Sequence, residues 1–423
     1  MKDLLPVNLY LAAGLVGLAT LMAAFMAALA PSPNIAASLV TMMTPLHPLT
    51  EDKSAKEVFG FAPFWTIDKL AGVDFEVLTT LAYFGIPVLG DGNLDRGDPG
   101  YTTFKSKKAT DIFKRAHVFG TRVVLTLTQM NNGQILALLD NPEAQANATF
   151  QAVEEVKKRG IDGINVDFEY NGDPGEDYRQ KFTNFVADLA DQMHRYNPSS
   201  KVTVSVYAAS VKDPKIYDIT ALSSASDGIF MMAYDFALAG SDTAMPTSPL
   251  YGYKEGHYWY DVSTAVEDFL SLMPSSKLIL GVPWYGYNYV VYQPEIKAST
   301  RPSWTWRGRP ATQTYAVALE NVRPDRADIS DFQTGWDDLG QVGWKAYYLP
   351  DAGTWRMIFL EDPESLGLKY DFAKNKNLAG VGMWALGFED GRTELWAVLR
   401  DKFGPKVADH SLIGKVIVSD ENY

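Results

Sequence analysis

The chain of 423 residues combines a large apolar fraction with an acidic charge balance. Hydrophobic residues make up 47% and charged residues 21% of the sequence, which provides for a large core and argues against a disordered chain. The 51 acidic residues against 38 Lys and Arg give a net charge of −13, so we expect no nucleic-acid partner. The absence of Cys excludes disulfides and thiolate metal sites.

The first predicted element is an apolar segment at the N-terminus. No Asp, Glu, Lys or Arg occurs between Leu4 and Thr50, and the stretch up to Ala30 is almost wholly apolar. At ~1.5 Å per residue this stretch reaches about 30 Å, the thickness of a bilayer's hydrocarbon core. An Ala-Leu-Ala motif resembles a signal-peptide cleavage site, but Pro31 follows it. We therefore expect residues 1–30 to be a signal anchor or signal peptide, which makes the protein extracytoplasmic, either held on a membrane or secreted.

The region after the apolar segment divides into a linker, a folded domain and a tail. Residues 31–56 are rich in proline and predict an extended linker. Residues 57–404 carry short β-branched or aromatic runs that alternate with longer amphipathic stretches, and residues 405–423 form a C-terminal tail. The eight predicted strands are Val58–Phe61, Leu78–Phe84, Arg122–Thr128, Gly163–Phe168, Lys201–Tyr207, Gly228–Ala233, Leu278–Val282 and Gly380–Trp384.

Eight apolar strands separated by helices predict an α/β fold in which a parallel sheet closes into a (β/α)8 TIM barrel. An open doubly wound sheet is the alternative, and the first strand lacks the Gly-rich phosphate turn that would favour it. Residues 287–377 are too many for one crossover helix, so a small α+β insertion is expected between strands seven and eight. Within it, Trp344–Leu349 and Met357–Leu360 are predicted strands, and Asp362 is the predicted cap of the last barrel helix.

Candidate catalytic residues lie on the fourth predicted strand. Because side chains alternate along a strand, Asn165, Asp167 and Glu169 share one face, which points into the barrel toward its carboxyl-terminal rim. Two carboxyls ~7 Å apart in such a place acquire different proton affinities, so one becomes an acid while the other stays charged. A solvated strand edge and a divalent-metal site are the alternatives. The apolar residues between the polar ones argue against a solvated edge. Because this cluster contains no His, a metal site is disfavoured, and we expect neither a metal nor a cofactor.

The segment from Asp162 to Glu169 reads Asp-Gly-Ile-Asn-Val-Asp-Phe-Glu and resembles the Asp-Gly-x-Asp-x-Asp-x-Glu signature of glycoside hydrolase family 18, the chitinase family. Further segments are similar to family motifs in the same order, over roughly residues 58–399. These are Phe59-Gly60-Phe61 with Trp65, Met232-Ala233-Tyr234-Asp235, Gly281-Val282-Pro283-Trp284-Tyr285-Gly286 and Gly382-Met383-Trp384-Ala385. Residues 234–250 and 384–396 are also similar to the bacterial branch that includes spore-cortex and cell-wall N-acetylglucosaminidases.

This resemblance implies a retaining hydrolysis in which the substrate's own acetamido group attacks the anomeric carbon. Glu169 is then the acid and base, and Asp167 hydrogen-bonds the acetamido group and stabilises the oxazolinium ion. Tyr234 holds the acetamido oxygen, and Asp235 supports the same group or a neighbouring hydroxyl. Trp384 forms the floor under the reacting sugar.

Other residues are expected to bind substrate by the same resemblance. They are Asn165, Tyr285, Phe61 and Trp65, and Trp304, Trp306 and Tyr287 are candidates for further sugar subsites. Asn165 stands where the family signature commonly has Asp. Because an amide cannot share a proton with Asp167 but can still orient it by a hydrogen bond, we expect activity with a shifted pH profile.

The predicted function is therefore hydrolysis of β-1,4-linked N-acetylglucosamine glycans: chitin, chitooligosaccharides or peptidoglycan. The expected partner is an N-acetylated polysaccharide or oligosaccharide. A non-catalytic chitinase-like lectin is one alternative, although such relatives typically lose the final Glu of the signature, which is present here as Glu169. A membrane-anchored scaffold protein is the other alternative. It would give no function to the acid, to the residues expected to bind the acetamido group or to Trp384.

Overall fold

The computed structural model of the chain describes residues 56–302 and 308–405. The predicted anchor, nearly all of the linker and the tail beyond residue 405 lie outside these residues. Within the two described stretches, no helix has both the length and the apolar character that crossing a bilayer requires.

Eight parallel strands close into a barrel, so the predicted fold class is confirmed in its main part. Each of the eight predicted strands overlaps an observed one. The barrel strands are β1 (Glu57–Pro63), β2 (Thr80–Pro87), β3 (Arg122–Gln129), β4 (Gly163–Phe168), β5 (Lys201–Tyr207), β6 (Gly228–Met232), β7 (Leu278–Pro283) and β13 (Gly380–Trp384). Strand β13 pairs with β7 on one side and with β1 on the other, which closes the ring.

Helices lie between the strands: most follow a barrel strand, whereas Tyr315–Asn321 and Pro363–Asn375 follow strands of an inserted sheet. They are α1 (Pro99–Phe104), α2 (Lys107–Val118), α3 (Asn132–Asp140), α4 (Pro142–Arg159), α5 (Glu176–Tyr196), α6 (Ile219–Ala225), α7 (Val262–Leu270), α8 (Tyr315–Asn321), α9 (Pro363–Asn375) and α10 (Glu394–Phe403), with 3-10 turns at Phe64–Gly72 and Ser275–Lys277. Local sequence sets their ends. Helix α4, for example, begins after the capping side chain of Asn141 and ends at Gly160, whose φ of 60° only glycine adopts readily.

The barrel interior below the cavity is filled with apolar side chains. Phe230 is wholly buried there and lies edge-on to Phe61 at 4.9 Å between ring centroids. Its ring fits because Gly281 and Gly382 carry no side chain: a Cβ at either position would lie 2.5 Å or less from a ring atom of Phe230. The lower barrel is therefore a packed core, and polar groups collect at the carboxyl ends of the strands.

A second sheet is inserted between β7 and β13. Its five strands are antiparallel in the order β10-β11-β12-β8-β9, with β8 at Tyr285–Val291, β9 at Ala311–Thr314, β10 at Asp331–Asp337, β11 at Val342–Leu349 and β12 at Thr354–Leu360. Two of these contain the predicted insertion strands. Asp362 caps a helix as predicted, in a capping box with Ser365. That helix, α9, is not the last of the barrel, since it leads into β13 and α10 follows it.

Candidate active site

The carboxyl ends of the barrel strands surround a cavity of about 270 Å³. Both carboxylates of the predicted pair open onto it. The lining side chains are Phe61, Phe84, Met130, Asp167, Glu169, Tyr207, Met232, Tyr234, Asp235, Tyr285 and Trp384. Seven of the nine predicted site residues thus meet in one place, although the roles assigned to them remain predictions.

Asp167 is the most deeply buried carboxyl of the cavity, with 3% of the residue exposed. Burial and the neighbouring charge of Glu169 raise the pKa of Asp167 well above its ordinary value, and the nearby hydroxyl of Ser205 opposes this rise. Among the described residues, no donor hydrogen-bonds its Oδ1. A buried acceptor without a donor is costly, so this oxygen is prepared to accept an N–H from a bound molecule.

Glu169 follows the end of β4 and is half-buried. The hydroxyl of Tyr207, on the adjacent β5, donates to its Oε2 at 2.7 Å. Burial raises the pKa of Glu169, the Tyr207 hydrogen bond lowers it, and the charge of Asp235 raises it further. The raised pKa of Glu169 favours its protonated form, which is the condition for a general acid.

Tyr234 and Asp235 follow β6 and face the same cavity. Asp235 has a left-handed φ of 61°, a conformation that aspartate tolerates better than most residues. Although the residue itself is exposed, its carboxyl lies among tyrosine rings and its pKa is raised by burial. Its Oδ1 accepts hydrogen bonds from Tyr285 and, at 2.6 Å, from Tyr287, both on β8. Strand β8 of the inserted sheet therefore holds a carboxyl of the barrel in place.

Trp384 ends β13, and its side chain lines the cavity. Its ring packs edge-on against Phe84 at 4.6 Å and lies 5.5 Å from Phe61. Trp65 lies beside it at 6.3 Å, but it is 53% exposed and is not part of the cavity lining. The substrate contact expected of Trp65 stays a prediction. Trp304 and Trp306 lie outside the described residues.

Asn165 lies below the cavity and is fully buried. Its Nδ2 donates to Ser205 Oγ at 3.0 Å, and its Oδ1 accepts from Thr203 Oγ1 at 2.9 Å. The side chain was expected to orient Asp167 directly, whereas the structure ties it to β5. The Ser205 hydroxyl that it engages is the group that lies beside Asp167, so any influence passes through Ser205.

Three residues of β5 that hydrogen-bond to predicted site residues escaped the sequence prediction: Thr203, Ser205 and Tyr207. The parallel pairing of Asn165 with Thr203 sets this face of β5 beside the polar face of β4. The signal was present, because polar and apolar residues alternate in β5 as they do in β4. The alternation in β5 was less conspicuous than that in β4, because its polar positions before the tyrosine hold one Thr and one Ser instead of carboxylates.

The fold and the cavity together define a class: a (β/α)8 barrel with a cavity lined by carboxyl groups and aromatic rings at the carboxyl ends of its strands. In the described part of the chain, no cluster of three or more His, Asp or Glu side chains has a metal-binding arrangement. Residues 58–389 match Glycosyl hydrolases family 18. The chain belongs to glycoside hydrolase family 18, and the resemblance drawn from its motifs is confirmed.

Two proteins similar in sequence carry the names of glycosidases. The chain is 26% identical over 353 residues to di-N-acetylchitobiase of Rattus norvegicus, an alignment that covers 78% of this chain and 84% of that protein. It is 24% identical over 278 residues to the putative sporulation-specific glycosylase YdhD of Bacillus subtilis, covering 63% of this chain and 58% of that protein.

Solved structures share the fold at low sequence identity. The Group IV chitinase of Ostrinia furnacalis in complex with allosamidin superposes with a TM-score of 0.69 at 20% identity, over 82% of this chain and 97% of that one. The spore cortex-lytic enzyme SleL of Bacillus cereus superposes with a TM-score of 0.64 at 17% identity, over 83% of this chain and 75% of that one. At such identities the likeness shows a common fold.

Proposed function

We propose that this protein hydrolyses β-1,4-linked N-acetylglucosamine glycans by a retaining, substrate-assisted mechanism. The observation that carries the proposal is the buried Oδ1 of Asp167, to which no described residue donates a hydrogen bond; Asp167 lines the cavity together with Glu169. An acetamido N–H is a donor of the right kind for that oxygen. A glycan with an N-acetyl group at the reacting sugar therefore supplies what the cavity lacks.

In the first step the acetamido carbonyl oxygen attacks the anomeric carbon while the glycosidic C–O bond breaks. Glu169 gives its proton to the leaving oxygen and becomes a carboxylate. The oxazolinium ring that forms carries a positive charge, and Asp167 accepts its N–H and stabilises that charge. In the second step Glu169 takes a proton from water, the oxygen of which attacks the anomeric carbon and reopens the ring. Two inversions leave the anomeric configuration retained.

The charge of the cavity favours a neutral glycan over an anionic one. Its lining contains three carboxyl groups and no Lys or Arg among the described residues. A peptidoglycan strand carries carboxylates on its lactyl-peptide side chains, which meet no Lys or Arg among the cavity residues and face the field of a protein with net charge −13. Chitin and its oligosaccharides carry no charge, so we place them first, with peptidoglycan as the second candidate.

A glycan-binding lectin without activity is the alternative function. Glu169 argues against it, because a lectin needs no protonatable carboxyl held by a tyrosine at 2.7 Å. The chitobiase relative, aligned over 78% of this chain, also supports the enzyme.

We further propose that the reaction takes place outside the cytoplasm. The support is the apolar N-terminal sequence, in which no Asp, Glu, Lys or Arg occurs from Leu4 to Thr50. Protease treatment of intact cells that express the full chain tests this placement. Digestion of the protein before lysis supports it, and protection until lysis contradicts it.

The test of function compares the full chain with its Glu169→Gln variant on chitooligosaccharides and on purified peptidoglycan. We expect the newly formed reducing ends to have the β configuration. NMR spectra recorded before mutarotation measure this configuration. The variant should be slower by roughly 10²–10⁴-fold, the usual contribution of a general acid. Wild-type protein that binds both glycans and cleaves neither would establish the lectin instead.

A further inference from the structure

We propose that Tyr207 is a positioning residue that reserves one oxygen of Glu169 for the proton given to the leaving group. The inference rests on the proposed function, since it concerns the acid of that reaction. Tyr207 does not belong to the predicted site, and it does not belong to the motifs that identified the family.

The geometry of the hydrogen bond assigns different tasks to the two oxygens. The hydroxyl of Tyr207 donates its single proton to Oε2 of Glu169 at 2.7 Å. An oxygen that accepts a short hydrogen bond is a poor place for a second proton, so the acidic proton of Glu169 is directed to Oε1. Without this bond both oxygens are equivalent, and only a fraction of the acid carries its proton on the side of the leaving group.

Tyr207 is itself held in place by its neighbours. The ring of Tyr217 packs edge-on against it at 6.1 Å, and the hydroxyl of Tyr217 is fixed on the carbonyl oxygen of Phe168 at 2.7 Å. Lys215 Nζ lies 5.5 Å from the centroid of the Tyr207 ring and pairs with Asp213 at 2.9 Å. Because these contacts already restrict the phenol ring, it loses little further conformational freedom when its hydroxyl donates to Glu169. The hydrogen bond is therefore a stable constraint on Glu169.

Several charged and titratable groups act on Glu169 besides Tyr207. Asp167 precedes it on β4, while Tyr234 and Asp235 face it from the end of β6. Burial and Asp235 raise the pKa of Glu169, and Tyr207 provides the hydrogen bond that opposes them. Replacing Tyr207 by Phe removes that opposition, so the pKa of Glu169 rises and the group becomes a weaker acid.

The test measures the pH dependence of kcat/KM for wild type and Tyr207→Phe on chitotetraose and on an aryl N-acetylchitobioside. With chitotetraose we expect kcat to fall about tenfold or more and the alkaline limb to move to higher pH. KM should change less than about twofold, because the ring that lines the cavity is kept. The loss should be smaller for the aryl substrate, since an aryl leaving group needs less protonation.

Tyr101→Phe is the matched control. Tyr101 donates to a carboxylate oxygen of Glu155 at 3.0 Å, so the variant loses the same kind of bond outside the cavity. We expect an unchanged pH profile and equal losses, if any, on both substrates. The proposal is overturned if Tyr207→Phe behaves like this control, or if both substrates lose the same factor.

A readout that needs no turnover separates this inference from the proposed function. The carboxyl band of Glu169 is isolated by infrared difference spectroscopy against Glu169→Gln and titrated in both backgrounds. In Tyr207→Phe we expect the band to persist to higher pH. If the wild type cleaves no glycan, the proposed function fails, and this titration alone decides whether Tyr207 controls the proton of Glu169. If the band disappears at the same pH in wild type and in Tyr207→Phe, the inference is refuted.

Discussion

Replacing Asp167 by Asn should stabilise the protein at neutral pH while it disables the reaction. Asp167 is 3% exposed, and its pKa is raised well above the ordinary value by burial and by Glu169. A carboxyl with a raised pKa in the folded state favours folding at low pH, and this contribution is lost as the pH rises through the folded pKa. An amide of the same shape has no such dependence.

The size of the effect follows from the pH span. Each pH unit between the ordinary pKa of aspartate, about 3.9, and the raised folded pKa costs about 1.4 kcal/mol of unfolding free energy. At pH 7 the cost therefore cannot exceed about 4 kcal/mol. For a domain of roughly 350 residues, 1 kcal/mol corresponds to about 1.4 °C in Tm, so Asp167→Asn should unfold up to about 6 °C higher.

The assay is thermal unfolding of both proteins from pH 4 to pH 8. The gain in Tm should be small at pH 4 and grow as the pH rises. Asp188→Asn, at an exposed position of α5, is the control and should change the unfolding free energy by less than about 0.5 kcal/mol. Hydrolysis by Asp167→Asn should fall roughly 10²–10³-fold. A gain in Tm that is the same at every pH, or a loss of stability at pH 7, would refute the burial argument.

Three further changes test other parts of the structure. Asn165→Asp adds a negative charge beneath the carboxyl pair and should move the alkaline limb of kcat/KM to higher pH, whereas an unchanged pH profile contradicts this. Lys369→Met leaves Glu361 buried without its partner at 2.9 Å and should cost about 3–5 kcal/mol in urea unfolding. The double variant with Glu361→Gln should recover much of that loss, and no recovery would show that the pair is not the cause. Gly387→Ala sets a Cβ 2.9 Å from that of Thr66 at a φ of 85°, and should lower Tm by several degrees, while an unchanged Tm would show that the loop adapts.

The barrel was predictable because its strands are buried on both faces. Runs such as Leu278–Pro283 are apolar at nearly every position and are separated from the preceding run by a helical stretch, a pattern typical of a parallel sheet. Strand β8 was not predicted as a strand of the insertion. Only Trp284 separates it from β7, and a nearly continuous aromatic and aliphatic run gives no sign of where one sheet ends and the other begins.

The candidate site was predictable where its residues follow one another along a strand. Asp167 and Glu169 share a face by the period of two, and the structure places both on the cavity. Partners from other strands were not visible. That Tyr207 donates to Glu169, or that Tyr287 donates to Asp235, depends on the register between strands and sheets that sequence spacing does not determine.

The tyrosines that hold Asp235 belong to the first strand of the inserted sheet rather than to the barrel. The insertion is therefore no independent module that could be exchanged between relatives at its outer boundaries. A chimera that joins a foreign insertion directly after β7 replaces Tyr285 and Tyr287 along with the rest, and Asp235 then depends on whatever the donor protein brings. A splice point beyond Val291 keeps both hydroxyls native, so subdomain swaps within this family should be cut there if activity is to survive.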